Sequence, residues 1–144
     1  MSKKVFIGAD HGGFALKTVL VDHLKSKGYD VQDLGCYSTE STDYPIYSEK
    51  VCEKVLEENA PGILVCGSGI GMSMAANRIP GIRAALATNE FHARLTRLHN
   101  NANVLCLGER VTGPGVAINL AEIFLETEFE GGRHQRRIDL FDKA

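Results

Sequence analysis

The chain lacks any apolar run approaching the roughly 18 residues that a membrane-spanning helix needs. No bilayer segment or membrane partner is expected. The opening stretch, Met1 to Ile7, gives way to Gly8-Ala9-Asp10 too soon for a secretion signal, so a cytoplasmic location is expected. A large excess of charge of either sign is also missing. A formal net charge of -2 offers no electrostatic reason for nucleic acid or an anionic membrane to be the main partner. The four cysteines, Cys36, Cys52, Cys66 and Cys106, form no Cys-x-x-Cys pair, which argues against structural zinc and a redox couple. They are expected as free thiols, most of them bland. Internal repeats, low-complexity tracts and linkers are absent too.

What is present is a chain of 144 residues, 44% hydrophobic and 24% charged, which suits one globular domain over 1–144. Short apolar runs at 4–9, 29–34, 62–66, 82–87 and 102–107 predict five strands, four of them fully buried. Between them, apolar residues recur at helical spacing: Phe14, Leu16 and Leu20; Val51, Val55 and Leu56; Met72, Met74 and Ala76; Phe91, Leu95 and Leu98; Leu120, Ile123 and Phe124. Gly28 and Asn59-Ala60-Pro61 are expected to stop the first two helices. Alternating strand and helix predicts an α/β fold: a three-layer αβα sandwich, Rossmann-like, on a five-stranded parallel sheet. A separate helical tail is expected from about residue 133, after Glu130-Gly-Gly132.

In open α/β sheets, ligands bind beyond the carboxyl ends of the strands. The first strand runs into Asp10-His11-Gly12-Gly13, an acid and an imidazole beside glycines that allow close backbone approach. The bland alternative makes Asp10 a helix cap and His11 an exposed bystander. The third strand ends in Cys66-Gly67-Ser68-Gly69-Ile70-Gly71, a thiol followed by a glycine-rich turn whose N–H groups favour negative charge. Familiar uses of such a loop fail on spacing. Met72 stands where a dinucleotide fingerprint wants glycine and a cysteine phosphatase wants arginine, and no Gly-Lys-Ser/Thr closes a P-loop. What remains is a thiol at a helix N-terminus, a setting that favours the thiolate and makes Cys66 a usable base or nucleophile.

His99-Asn100 follows the fourth helix, where a histidine can serve simply as a cap charge. That end of a helix lies at the sheet edge opposite Asp10 and Cys66, so a His99 acting in the same site must come from another subunit. Arg110, and then Arg133 and Arg137 one helical turn apart, form a basic set that can grip a phosphate or merely face solvent.

Together, Gly8 to Gly13, Thr42-Asp43-Tyr44-Pro45, Cys66 to Gly71 with Ala76-Asn77-Arg78, His99-Asn100 with Asn103-Val104-Leu105, and Glu130 to Arg137 closely resemble the type B ribose-5-phosphate isomerases. The galactose-6-phosphate isomerase subunits share much of the pattern. The resemblance implies interconversion of ribose 5-phosphate and ribulose 5-phosphate through a cis-enediol, without metal or cofactor, in a homodimer or homotetramer with sites shared between subunits. It implies Cys66 as the base moving a proton between C2 and C1, and Gly67, Ser68, Gly69, Ile70 and Gly71 as the cradle for the enediolate. It further implies His99 for ring opening, Asp10 for hydroxyl protons, Asn100 and Tyr44 beside the sugar, and His11, Arg110, Arg133 and Arg137 on the phosphate. Family members with a glutamate base place it further along the loop; here Met72, Ser73 and Met74 leave Cys66 without a rival. Three other readings compete: an isomerase of allose or galactose 6-phosphate, a non-catalytic sugar-phosphate sensor, and a thiol transferase using Cys66 as nucleophile.

Overall fold

The computed structural model describes residues 3–142. Five strands, β1 (Lys4–Ala9), β2 (Asp30–Asp33), β3 (Gly62–Cys66), β4 (Ala84–Leu86) and β5 (Val104–Gly108), form one parallel sheet in the order β2-β1-β3-β5-β4. Helices α1 (Phe14–Ser26), α2 (Tyr44–Glu58), α3 (Ile70–Asn77), α4 (Glu90–Leu98), α5 (Pro114–Glu126) and α6 (Arg133–Phe141) follow the strands in alternation, with α6 added at the end.

The sheet separates two apolar layers. On one face Val5, Ile7, Ile63, Val65, Leu105 and Leu107 pack with Leu16 and Leu20 of α1, Ala93 of α4 and Leu120 and Phe124 of α5. On the other, Phe6, Leu64, Val104 and Cys106 pack with Val51, Cys52 and Val55 of α2 and Met72 and Ala76 of α3. Successive strand side chains feed opposite layers, so strands buried on both sides read as unbroken apolar runs.

Three strands, not four, are buried along their length: β1, β3 and β5. β2 and β4 lie at the two edges and are only partly covered. The run at 82–87 forms a strand only over Ala84–Leu86, and the run at 102–107 is shifted to Val104–Gly108. Met74 and Phe91, expected on core faces, are each 66% exposed, and Leu56 also faces solvent. The anticipated helix stops are present: Gly28 has φ +91° just beyond α1, and Asn59 caps α2 in the left-handed region at φ 49°.

Strand order reverses between β1 and β3, whose carboxyl ends lie side by side, with the Asp10 N–H reaching the Val65 carbonyl at 3.3 Å. That reversal point is where an α/β sheet leaves room for a ligand.

Candidate active site

The sheet buries Cys66 at the end of β3, where its Sγ accepts the Gly69 N–H at 3.1 Å. That bond needs the turn to fold back on the thiol, and Gly69 supplies the turn at φ +82°. A side chain at Gly69 would also fall 2.6 Å from Leu86 Cδ1 and 2.9 Å from the Leu107 carbonyl carbon. Only glycine meets both demands. Two of the five loop N–H groups expected to hold an oxyanion are engaged internally, Gly69 with Cys66 and Ile70 with Ser68 Oγ at 3.2 Å. Among the described residues, the other three N–H groups, of Gly67, Ser68 and Gly71, have no partner, and those of Gly67 and Ser68, ahead of the helix, stand ready for a ligand.

Asp10 occupies the cap position before the His11–Gly13 turn but makes no side-chain cap bond. Its carboxylate is buried, and Oδ1 has no hydrogen-bond partner among the described residues. A buried, unpartnered carboxylate oxygen is costly unless something else fills its need. A Cβ at Gly12 would sit 3.3 Å from that oxygen and 3.2 Å from the Gly67 nitrogen, so the acid and the free N–H of the loop flank one point.

Three further residues gather at this edge. Arg110 follows β5; its N–H donates to the Gly67 carbonyl at 3.0 Å, and its side chain passes beside the Gly67 Cα. The Tyr44 ring lies over Gly71 so closely that a Cβ there would meet it at 2.7 Å. His11 accepts the Thr42 N–H on Nδ1 at 3.1 Å, so in the neutral ring Nε2 carries the proton and is free to donate. Asp10, His11, Tyr44, Gly67, Ser68, Gly69, Ile70, Gly71 and Arg110 thus gather at the sheet edge that carries Cys66.

His99, Asn100, Arg133 and Arg137 do not. His99 caps the carboxyl end of α4, five residues before β5 begins, whereas Gly108 at the far end of β5 pairs with Cys66. The length of β5 alone separates these edges by about 13 Å. There His99 stacks on His134 at 4.2 Å between ring centroids, beside α6, which carries the exposed Arg133 and Arg137. Two clefts of about 650 and 550 Å³ open elsewhere, and Cys66 lines neither.

Cys52 and Cys106 pack in the same apolar layer as Cys66, whereas Cys36 Sγ donates to the Ser38 carbonyl at 3.3 Å. Burial pushes Cys52 up to about 11 and raises Cys106 well above the ordinary thiol range. Sequence reasoning missed Lys17, which is only 1% exposed. Its Nζ donates to both Asp33 oxygens at 2.7 and 2.9 Å and to the Cys36 carbonyl at 2.6 Å. Cys36 and Gly35 in turn bond the backbone of Ala9, so Lys17 braces the segment leading into Asp10. It also missed Glu109, which accepts the Leu16 N–H at 2.9 Å and ties the end of β5 to α1.

A doubly wound sheet with a buried thiol, an unpartnered acid and a glycine-rich helix start at its reversal point defines an α/β protein built to hold a small polar ligand and move protons on it. The chain belongs to the Ribose/Galactose Isomerase family, whose model matches residues 5–141. It is 45% identical to ribose-5-phosphate isomerase B of Escherichia coli, covering 95% of this chain and 93% of that one. A ribose 5-phosphate isomerase structure from Thermotoga maritima matches with a TM-score of 0.97 at 48% identity, over 100% of both chains. Ribose-5-phosphate isomerase B of Mycoplasma genitalium, solved with bound ribulose-5-phosphate, matches with a TM-score of 0.92 at 46% identity, over 97% of this chain and 94% of that one.

Proposed function

We propose that this chain interconverts D-ribose 5-phosphate and D-ribulose 5-phosphate by moving a proton between C2 and C1 through a cis-enediol. The observation that carries the reading is the meeting of the buried Cys66 thiol, the two free N–H groups of Gly67 and Ser68, and the unpartnered Asp10 carboxylate at one strand edge. Aldose–ketose isomerisation needs those three things: a base for a carbon acid, donors for the developing oxyanion, and a group that passes protons among hydroxyls.

In this reading Cys66, as thiolate, takes the C2 proton. The carbonyl oxygen of the open-chain aldose becomes negative and is held by Gly67 and Ser68. The same thiol returns the proton to C1 while Asp10 relays the hydroxyl proton. His11 through Nε2–H and Arg110 grip the phosphate, and Tyr44 packs beside the sugar. No cofactor takes part.

Ring opening and the remaining phosphate contacts fall to His99, Asn100, Arg133 and Arg137 of a second copy of the chain. Two features support that pairing. The distance along β5 keeps His99 out of reach of Cys66 within one chain. The carboxyl edge is rimmed by exposed Tyr44, Ile46, Ile70, Met74, Phe91 and Val111, an apolar surface of the kind that a partner covers. We further infer a cytoplasmic enzyme of pentose phosphate metabolism; among the described residues no helix is long and apolar enough to cross a membrane.

The test is conversion of ribose 5-phosphate in deuterated water with EDTA present, alongside allose and galactose 6-phosphates. Conversion of the five-carbon sugar with deuterium at the transferred position is expected. Conversion of a six-carbon sugar alone would move the substrate assignment, and binding without exchange would make the protein a sensor. Sharing of the site is tested by mixing and refolding Cys66→Ala and His99→Asn chains, each inactive alone. Random pairing gives about half heterodimers with one intact site in two, so recovery of about a quarter of wild-type turnover is expected. No recovery would place the whole site within one chain.

A further inference from the structure

We propose that His99, Glu130 and His134 form a binding site for a transition-metal ion of the zinc class, and that an ion held there withdraws His99 from catalysis. The second half rests on the role given to His99 above; the first does not.

The three side chains present two imidazoles and one carboxylate, a donor set that suits zinc and leaves a fourth position open. Their ligand atoms all lie within 4.8 Å of one another. His134 Nε2 is 3.1 Å and His99 Nε2 3.8 Å from Glu130 Oε1. At zinc–ligand distances of 2.0–2.2 Å, tetrahedral ligand atoms stand about 3.4 Å apart, so side-chain shifts of about 1 Å close the site.

The backbone prearranges it. The Glu130 N–H donates to the Leu98 carbonyl at 3.1 Å, pinning the loop before α6 against the residue preceding His99. His134 sits in the first turn of α6, four residues after Glu130, and is only 6% exposed. That makes it the fixed ligand. The His99 and His134 rings are stacked 14° from parallel, so their in-plane lone pairs converge only when one ring tilts. His99, with a side chain 39% exposed at the end of α4, is the ring with room to do so. Exposed Glu130 leaves the open position facing solvent. Nearby Arg133 and Arg137 add positive charge and weaken the site without occupying its ligands.

The bland reading is that Glu130 only orients the two rings, in which case the cluster has no metal affinity of its own. Calorimetric titration of the full chain with zinc in a non-chelating buffer separates the two. One ion per chain is expected. Glu130→Gln, which preserves shape on an exposed residue, should weaken binding at least tenfold, since loss of even an outer-shell partner costs 10- to 100-fold. Cys66→Ala should leave binding unchanged, and cobalt in place of zinc should show no thiolate charge-transfer band. Zinc should inhibit isomerisation reversibly by EDTA, with the inhibiting concentration raised by Glu130→Gln in step with binding. Binding that Glu130→Gln leaves intact, or that Cys66→Ala removes, overturns the site. Binding without inhibition overturns its link to His99. Absence of turnover in the metal-free chain counts against the isomerase reading alone, because the calorimetric arm is decided without it.

Discussion

Replacing Cys66 by alanine separates what the sulfur does for the fold from what it does for the reaction. In the folded chain Sγ is buried and accepts the Gly69 N–H at 3.1 Å. Alanine removes that acceptor and leaves a buried donor unpaired, at about 1–3 kcal/mol. The lost sulfur burial adds about 1 kcal/mol. A domain of this size typically has about 5–15 kcal/mol to spare, so the variant should fold with a lowered denaturation midpoint. Turnover should fall by roughly 10²- to 10⁴-fold, the usual contribution of a positioned base, equivalent to about 2.7–5.4 kcal/mol of barrier. KM should move little, because His11 and Arg110 are untouched.

Cys66→Ser then tells the two contributions apart. A hydroxyl still accepts the Gly69 N–H but ionises far less readily than a thiol. Urea unfolding should therefore show most of the lost stability restored, while ketose formation stays near the alanine level. Turnover of Cys66→Ala within tenfold of wild type, or serine rescuing activity along with stability, would refute the assignment of Cys66 as base.

A Cβ at Gly108 would lie 2.5 Å from the Ser68 carbonyl, a backbone contact that cannot yield cheaply. Gly108→Ala should cost about 1–3 kcal/mol or more and displace the Cys66 loop. Gly113→Ala meets nothing within 4 Å and, by restricting the unfolded chain, should be neutral or gain up to about 1 kcal/mol; paired thermal melts and turnover numbers check both. Lys17→Met orphans the Cys36 carbonyl and leaves Asp33 without its cation, a loss of about 3 kcal/mol by denaturant unfolding. Because Asp33 is partly exposed, the larger consequence should be a drop in turnover from a loosened Asp10 segment. Burial raises the Cys52 thiol from its ordinary 9.0 to about 11, so the folded chain holds that proton more tightly than the unfolded one. Stability from this source is intact below pH 9 and declines as pH climbs toward 11, by at most about 2.7 kcal/mol. Unfolding curves at pH 8 and 10.5 should show the decline, and Cys52→Ala should lessen it, leaving the part that the buried Cys106 thiol contributes.

The sheet and the Cys66 cradle were legible because their cause is local. A run such as Gly62–Cys66, apolar on both faces and ending in glycines, can hardly be anything but a central strand leading to a turn. Edge position is not local: β4 is thinly covered because β5 inserts between it and β3, which no property of residues 82–87 discloses. Met74 and Phe91 fit the helical spacing of core residues yet lie outside the chain's own core, since spacing marks an apolar face without saying what covers it. Lys17 reads as a solvent-facing charge among Leu16 and Leu20, and its partners lie 16 and 19 residues away, beyond any helical pattern. The His99–His134 stack brings together the ends of two different helices and has no sequence signature.

The division that the proposed site requires follows from the fold itself. In a parallel sheet every strand presents its carboxyl end to the same edge, and every helix that returns the chain to the next strand ends at the other. Cys66 belongs to a strand end and His99 to a helix end, so the connectivity that makes the thiol and its cradle precise also sets the histidine apart. No side-chain rotation spans the roughly 13 Å length of β5. On the proposed reading, a second copy turned about a two-fold axis removes the conflict, because each chain then lends the histidine edge that it cannot use and borrows the one it lacks, completing two sites at once. The exposed apolar rim around the Cys66 loop is the surface on which that exchange would be built.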